Sequence, residues 1–308
     1  MIDVKRVARA KKTGIVVGVT LGLSVLLLPA ASANAATSFD GPIDLGAAAT
    51  FSALGSSTLT NTGTSVLSGD IGVSPGTSIT GFPPGVYNGT VHATDAVAGQ
   101  AQADLTTAYN VAAGLSPTST GFTDLTGLSL TPGVYKAETS LLLSGDLTLA
   151  GDAHSVWVFQ VGSTLTTESN THILLTGGAS ACNVYWQVGS SATLGSNSVF
   201  VGTIMAHDAI TATTTAAITG RLLANGTAVT LDTNVIDTPT GCERTSPEIT
   251  SSTPPDSTVG TPYSFTITAT GTPTIAYTVS SGELPPGLGL NGATGEITGT
   301  PTTAGTFT

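Results

Sequence analysis

Few side chains in this 308-residue sequence could do covalent chemistry, and their spacing assembles no site. His92, His154, His172 and His207 fall in no HExxH or comparable metal pattern. There is no GxSxG, no P-loop and no GxGxxG following a strand. Asp146, Asp152, Glu168, Asp208 and Asp232 recur, but a glycosidase needs two carboxylates a few ångströms apart in a cleft. Asp146, Asp208 and Asp232 stand beside glycine or in turn-like contexts, where aspartate serves the backbone. His207 with Asp208 is the least implausible pair and reads more simply as a turn. A basic residue serving a lyase would have to be Lys136 or Arg221. No carboxylate cluster suits calcium, so no enzyme activity, metal or cofactor is expected.

What does recur with regular spacing is threonine. Three segments starting at Val184, Thr203 and Arg221 repeat: Trp186, Met205 and Leu223 are expected to share a column, followed by Gln187, Ala206 and Ala224. A turn position (Gly189, Asp208, Gly226) comes next. Then come the alternating runs Ala192-Thr193-Leu194, Ile210-Thr211-Ala212 and Val229-Thr230-Leu231. A period of 18 or 19 residues points to a solenoid, whose repeats bury an interior only when stacked. Strand residues alternate between faces. With Leu194, Ile210 and Val229 inside, Thr193, Thr211 and Thr230 face outward. Nine threonines lie between positions 203 and 233. On rungs about 4.8 Å apart they would form a flat grid of hydroxyls and methyls. The plain alternative is that threonine simply favours strands.

The elements that must position this grid follow in order. Lys5, Arg6, Arg9, Lys11 and Lys12, then an apolar run from Ile15 to Leu28, then Ala33-Asn34-Ala35 read as a secretory signal peptide over residues 1–35. The apolar run is short for a membrane span, and no later stretch could cross a bilayer. Without the leader three basic residues remain (Lys136, Arg221, Arg244) against 18 acidic ones, a formal net charge of 3 − 18 = −15. That argues against nucleic acid and anionic membranes as partners. Charged residues make up only 9% of the chain, which suits a neutral partner. Cys182 and Cys242, an even pair in an exported protein, are most simply a disulfide.

Residues 39–91 read as strands with frequent punctuation. Within them GVSPGTSITGFPPG carries enough glycine and proline to suggest a loop or cap rather than a rung. Val97, Ala101, Leu105, Ala108 and Ala112 form one stripe of a helix, with Thr94 as N-cap and Gly114 after its end. Its alanines let it lie close along one side of the solenoid. Further on, Val158 to Ser163 echoes Tyr185 to Ser190 at a spacing of 27 residues, so one rung carries an insertion. Thr164 and Thr166 flank Leu165 there as outward candidates. Beyond Cys242 a proline-rich linker (243–262) precedes Tyr263-Ser264-Phe265-Thr266-Ile267. The run LPPGLGLNGATGEITGTPTTAGT resembles the immunoglobulin-like repeats of bacterial surface proteins. Residues 263–308 are short of the roughly 100 that such a sandwich needs, so a partial domain is expected.

CNVYWQVGSSATLGSNSVFVGTIMAHDAIT and GRLLANGTAVTLDTN, with TNTGTSVLSGDIGVSPGTSITGFPPG and the helix from Thr94 upstream, resemble the microbial ice-binding proteins. The resemblance covers residues 36–242. It implies a mainly β fold: a right-handed discontinuous β-helix of three faces, with one long helix alongside and N-terminal strands inserted beside C-terminal ones. It also implies an ice-binding site on one flat face, in some members carrying a T-A/G-x-T/N motif. Thr211-Ala212-Thr213-Thr214 and Thr227-Ala228-Val229-Thr230 fit that motif, and Thr62-Gly63-Thr64 fits it in part. The candidate ice-binding residues are thus Thr164, Thr166, Thr193, Thr211, Thr213, Thr214, Thr227 and Thr230. The expected partner is the ice surface, met outside the cell, with a tether through the C-terminal module. Two other readings stand beside this one. A surface adhesin binding a glycan should expose aromatic residues, and a polysaccharide-degrading β-helix enzyme should show clustered Asp or His.

Overall fold

The computed structural model describes residues 2–3, 9–10, 42–242, 248–271, 275–280 and 282–307. The chain divides into two compact units, Asn34–Cys242 and Glu243–Thr308 together with Met1–Ala33.

The larger unit is a right-handed β-helix of seven complete stacked, parallel rungs, each contributing a strand to each of three faces, with partial rungs at the two ends formed by Ser119–Thr120 and Ser129–Leu130 and by Val91–Ala93. The first rung is Gly133–Ala137, Leu141–Leu143 and Leu147–Ala150, and the second is Trp157–Val161, Leu165–Thr167 and Ile173–Thr176. The next three run from Val184–Val188 through Ala192–Leu194, Val199–Ala206, Ile210–Ala212, Ala217–Ala224 and Ala228–Asp232 to Val235–Asp237. Two of these strands are long because each turns from one face onto the next at a glycine, Gly202 and Gly220. Sequence order then breaks. The sixth rung is Phe51–Gly55, Thr58–Thr62 and Val66–Leu67, paired directly on the fifth: Leu222 with Ala53, Val229 with Leu59, Val235 with Val66. The seventh is Asp70–Val73, Ser78–Thr80 and Val86–Tyr87. The glycine- and proline-rich stretch expected to be a loop therefore carries a rung. It stacks because Ile79 continues the inward column of Val229 and Leu59.

The core is a set of such columns. Tyr135, Phe159 and Trp186 stand in one register. The Phe159 and Trp186 rings stack with centroids 3.9 Å apart, and Tyr135 stacks on Phe159 at 5.6 Å. The column continues through Ile204 and Leu222. Trp186 thus faces Ile204, and Gln187 faces Met205: the expected pairing of Trp186 with Met205 is one residue out. The corner after Val188 is one residue shorter than the corner after Ala224, so spacing read across both slips by one. A slip of one reverses inside and outside, which is why Gln187 packs outside the barrel while Trp186 is its centre.

One long helix, α1 (Ala96–Gly114), covers the first face. Ala98, Ala101, Leu105, Ala108 and Ala112 are fully buried, set against Val158, Tyr185, Met205, Leu223 and Leu54 among others. The N-cap is Asp95, whose carboxylate accepts the Ala98 N–H at 2.8 Å. Thr94, the expected cap, takes φ 59° and lies just outside. Val97 consequently falls off the buried stripe and is exposed. At the other end Gln160, outward on the covered face, donates to the Ala112 and Leu115 carbonyls at 2.8 Å each, satisfying helix-end acceptors. Cys182 and Cys242 form a disulfide, joining the entry to the third rung with the chain after the fifth.

The smaller unit holds antiparallel pairs that fit a partial sandwich. Tyr263–Thr266 pairs with Glu296–Gly299, which pairs with Leu288–Leu290 around Ile267, Tyr277 and Ile297. Pairing begins at Glu248–Ile249 with Ala269–Thr270, inside the stretch read as linker. Most of the expected signal peptide lies outside the described residues.

Candidate functional site

The second face of the β-helix is a seven-stranded parallel sheet in which every strand is three to five residues long. Its pleat sorts side chains by a simple rule. Leu141, Leu165, Ala192, Ile210, Val229 and Leu59 form one inward column, and all are buried. One residue further along each strand, the outward column reads Leu142, Thr166, Thr193, Thr211, Thr230, Thr60 and Thr80. Six consecutive rungs thus present threonine at the same position. With rungs about 4.8 Å apart, the column of seven is roughly 29 Å long. Parallel strands in unbroken register keep it straight, and β-branching holds each threonine close to one χ1.

Of the candidate residues, the structure brings Thr166, Thr193, Thr211 and Thr230 into this single column. Thr164 lies in the outward column beside it, with its hydroxyl donating to Ser140 at 2.8 Å. That flanking column continues at the far end as Ala228, Thr58 and Ser78. The remaining candidates stand elsewhere. Thr213 is at the far edge of the face, its hydroxyl bonded to the Leu194 carbonyl at 2.7 Å. Thr214 is on the corner beyond, where it donates to Asp232. Thr227 is on the opposite corner, where its carbonyl accepts the Ser56 and Ser57 N–H groups.

The two four-residue motif matches therefore do not superpose: the first threonine of 211–214 pairs with the last of 227–230. The shared feature is the column, not the motif. Thr60 escaped the sequence reading because its place depends on stacking against Thr230, about 170 positions away, and Thr80 because it stacks in turn on Thr60. The alternations Thr58-Leu59-Thr60 and Ser78-Ile79-Thr80 were the local signals.

Charge is kept to the rim. Asp232 sits at the face edge, opposite Thr62, with its carboxylate taken up by Thr214 and Thr233 hydroxyls. Asp208 is on the corner before the face. His207 and the Ser190 hydroxyl bond its carboxylate and hold its pKa below the usual carboxylate range. Lys136 pairs with Glu138 on the surface at 2.9 Å. Arg221 is buried under the helix-covered face, donating to the Ala49 and Pro239 carbonyls, and burial pushes its pKa down. Neither cation is near the threonine column in sequence register. Among the described residues, no three of His, Cys, Asp and Glu gather closely enough to hold a metal. What the second face offers chemically is a rigid, repeating, uncharged array of hydroxyls and methyls.

Comparison with known proteins bears on that array. A family model described as Ice-binding-like matches residues 53–237, and an Ig-domain model matches residues 246–308. An ice-binding protein of Nostoc sp. (strain HG1) is 53% identical over 197 residues, spanning 62% of this chain and 72% of that protein. The crystal structure of an ice-binding protein from the Antarctic ascomycete Antarctomyces psychrotrophicus superposes with a TM-score of 0.63 at 46% identity. It covers 65% of this chain and all of the other. An Arctic yeast ice-binding protein, solved to explain its antifreeze activity, superposes with a TM-score of 0.62 at 30% identity, over 65% of this chain and 95% of its own.

Proposed function

The chain belongs to the ice-binding-like family, and from that membership we propose that it is an antifreeze protein that adsorbs to ice through its threonine face. The observation that carries the site assignment is the outward column of six consecutive threonines in one unbroken register of a parallel sheet. Ice is neutral and repetitive, so the complementary surface is a flat array rather than a pocket. Each threonine offers a methyl that orders adjacent water and a hydroxyl that fixes the position of that water. Because the array is stiff before contact, little side-chain entropy remains to be lost on binding. Water cannot join the lattice where the protein sits, so growth and recrystallisation slow without any covalent step. The protein acts outside the cell after loss of residues 1–35, held near a surface or a larger assembly through the C-terminal Ig-like unit. A glycan-binding face would be expected to carry aromatic rings, and the outward columns of this sheet carry none.

The test is recrystallisation inhibition by the chain beginning at residue 36, compared with Thr211→Tyr and Thr230→Tyr. Tyrosine at either position lifts the flat surface away from the lattice, so inhibition should be lost. Both sites are on the outer face, and stability should shift by no more than about 0.5 kcal/mol. Unchanged inhibition in both variants would remove the threonine face from consideration.

A further inference from the structure

An asparagine followed by glycine can be attacked by its own chain, because glycine has no side chain to shield its backbone nitrogen or to restrict its motion. The sequence holds three such pairs: Asn88-Gly89, Asn225-Gly226 and Asn291-Gly292. Among the described residues none of these glycine nitrogens donates a hydrogen bond. What separates the three is how firmly the asparagine carboxamide and its stretch of backbone are held. At Asn291 the side-chain oxygen accepts the Ala293 and Thr294 N–H groups at 3.0 and 3.2 Å. Asn225 is half-buried, and its side-chain oxygen accepts the Thr106 hydroxyl at 3.3 Å. Its corner also lies inside the stack: the Asn225 N–H donates to the Ala206 carbonyl on one side, and the Thr227 carbonyl accepts the Ser56 and Ser57 N–H groups on the other. Backbone fixed from both sides cannot bend into a ring.

Asn88 differs on each count. It is exposed, and among the described residues its carboxamide has no hydrogen-bond partner. It follows Val86–Tyr87, the third-face strand of the seventh rung, which ends its sheet: no described strand pairs on the far side. The corner is tied from one side, by the Asn88 N–H to the Leu67 carbonyl at 2.9 Å and the Thr90 N–H to the Asp70 carboxylate at 2.7 Å. Packing nevertheless demands the glycine. A Cβ at Gly89 would lie 2.5 Å from both the Asp70 N and its Oδ1. The fold thus keeps, at its least constrained corner, the residue that leaves the neighbouring amide open to attack.

We propose that Asn88 is a self-modification site, at which the folded chain deamidates spontaneously while Asn225 and Asn291 are protected. The Gly89 backbone nitrogen attacks the Asn88 side-chain carbonyl carbon. A new C–N bond forms, the bond to the amide nitrogen breaks, and that nitrogen leaves as ammonia with the proton lost from Gly89. Water then opens the cyclic imide. Cleavage at the side-chain carbonyl gives aspartate, and cleavage at the main-chain carbonyl gives isoaspartate, with the backbone rerouted through the side chain. Water is the sole co-reactant, and nothing is oxidised or reduced. Either product sets a second carboxylate near Asp70. The isoaspartyl form also adds a methylene to the backbone between Val86–Tyr87 and Val91–Ala93, the strand that leads into the Asp95 cap of α1. This chemistry belongs to the chain whatever surface it binds.

The experiment incubates the chain beginning at residue 36 in mildly alkaline buffer made with heavy-oxygen water, one sample folded and one unfolded in guanidinium chloride. Both are kept until the unfolded sample has lost half of its Asn88 amide, and peptide mapping by mass spectrometry then reads all three asparagines. In the unfolded chain the three should convert side by side. In the folded chain Asn88 should become a mixture of aspartate and isoaspartate carrying the heavy oxygen, while Asn225 and Asn291 keep their amides. Anion exchange should show one acidic form growing in step with that conversion. Asn88→Gln, whose longer side chain closes the ring far more slowly, should not produce it. An Asn88 that stays an amide in the folded sample overturns the proposal. So does conversion of folded Asn225 or Asn291 as fast as Asn88, or an acidic form that grows undiminished in Asn88→Gln.

Discussion

At the level of single residues, the site turns on which side of a strand a threonine occupies, and alternation alone decided most of that. Thr193, Thr211 and Thr230 were legible because each follows one hydrophobic residue and precedes another, and the structure places them in one register. Thr213, Thr214 and Thr227 belong to the same dense threonine text but fall on edges and corners: the hydroxyls of Thr213 and Thr214 bond a neighbouring rung, and Thr227 holds the next rung through its backbone carbonyl. A four-residue motif cannot separate these cases, because its two matches sit out of register: Thr211, the first residue of one, pairs with Thr230, the last of the other. The threonines that local reading missed provide an independent check on the column. Thr60 and Thr80 extend it through the two rungs supplied by the N-terminal segment. Thr60→Tyr should therefore weaken recrystallisation inhibition as Thr211→Tyr does, with a stability change of no more than about 0.5 kcal/mol. Thr64, which stands on a corner, provides the contrast. If Thr60→Tyr and Thr64→Tyr inhibit equally well, the N-terminal rungs take no part in binding.

Among the elements, α1 shows how much a stripe of residues reveals and where it stops. Its buried face was readable from Ala101 to Ala112, since apolar spacing of three and four residues has no other economical use. Its start was less so: Thr94 and Asp95 are both good capping types, and only the backbone separates them. Thr94 adopts the left-handed conformation, and Asp95 takes the extended one that a cap requires. The Ala98 N–H, and after it His92, bond the Asp95 carboxylate and lower its pKa from the ordinary value. The sign follows directly. A carboxylate whose pKa is lower when folded stabilises the fold at every pH above its unfolded value of about 3.9, and that contribution disappears as pH falls through the folded value. The helix docking should thus loosen in acid below the ordinary carboxylate range. Asp95→Asn keeps a capping oxygen but cannot titrate, so its stability should be flatter over that acid range. Melting temperatures across pH 2 to 5 would show it, and parallel curves for the two proteins would assign the acid sensitivity elsewhere.

For the whole molecule, the decisive feature is that the chain does not stack in the order it is written. The last two rungs come from residues 51–87, and α1 then carries the chain back to the first rung at Gly133. Residue pattern could not have given this order, because nothing within 58–62 marks it as the neighbour of 228–232. It entered through family resemblance, and the pairing of Val229 with Leu59 bears it out. Such a fold closes late and over long sequence distances, which makes its folding slow and its junctions worth securing. The Cys182–Cys242 disulfide spans 60 residues and ties the end of the fifth rung to the base of the third. Closing a loop of that length stabilises by about 4 kcal/mol in the chain-entropy model. For a unit of this size that corresponds to roughly 10 °C in melting temperature. The bond lies outside the threonine sheet, whose strands are held by their own ladder and inward columns. Cys182→Ser/Cys242→Ser should therefore melt about 10 °C lower yet inhibit recrystallisation undiminished near 0 °C. Calorimetry and a recrystallisation assay on the same sample separate the two effects. Should the variant lose inhibition while still folded at low temperature, the rungs are not self-sufficient, and the flatness of the face depends on the covalent tie.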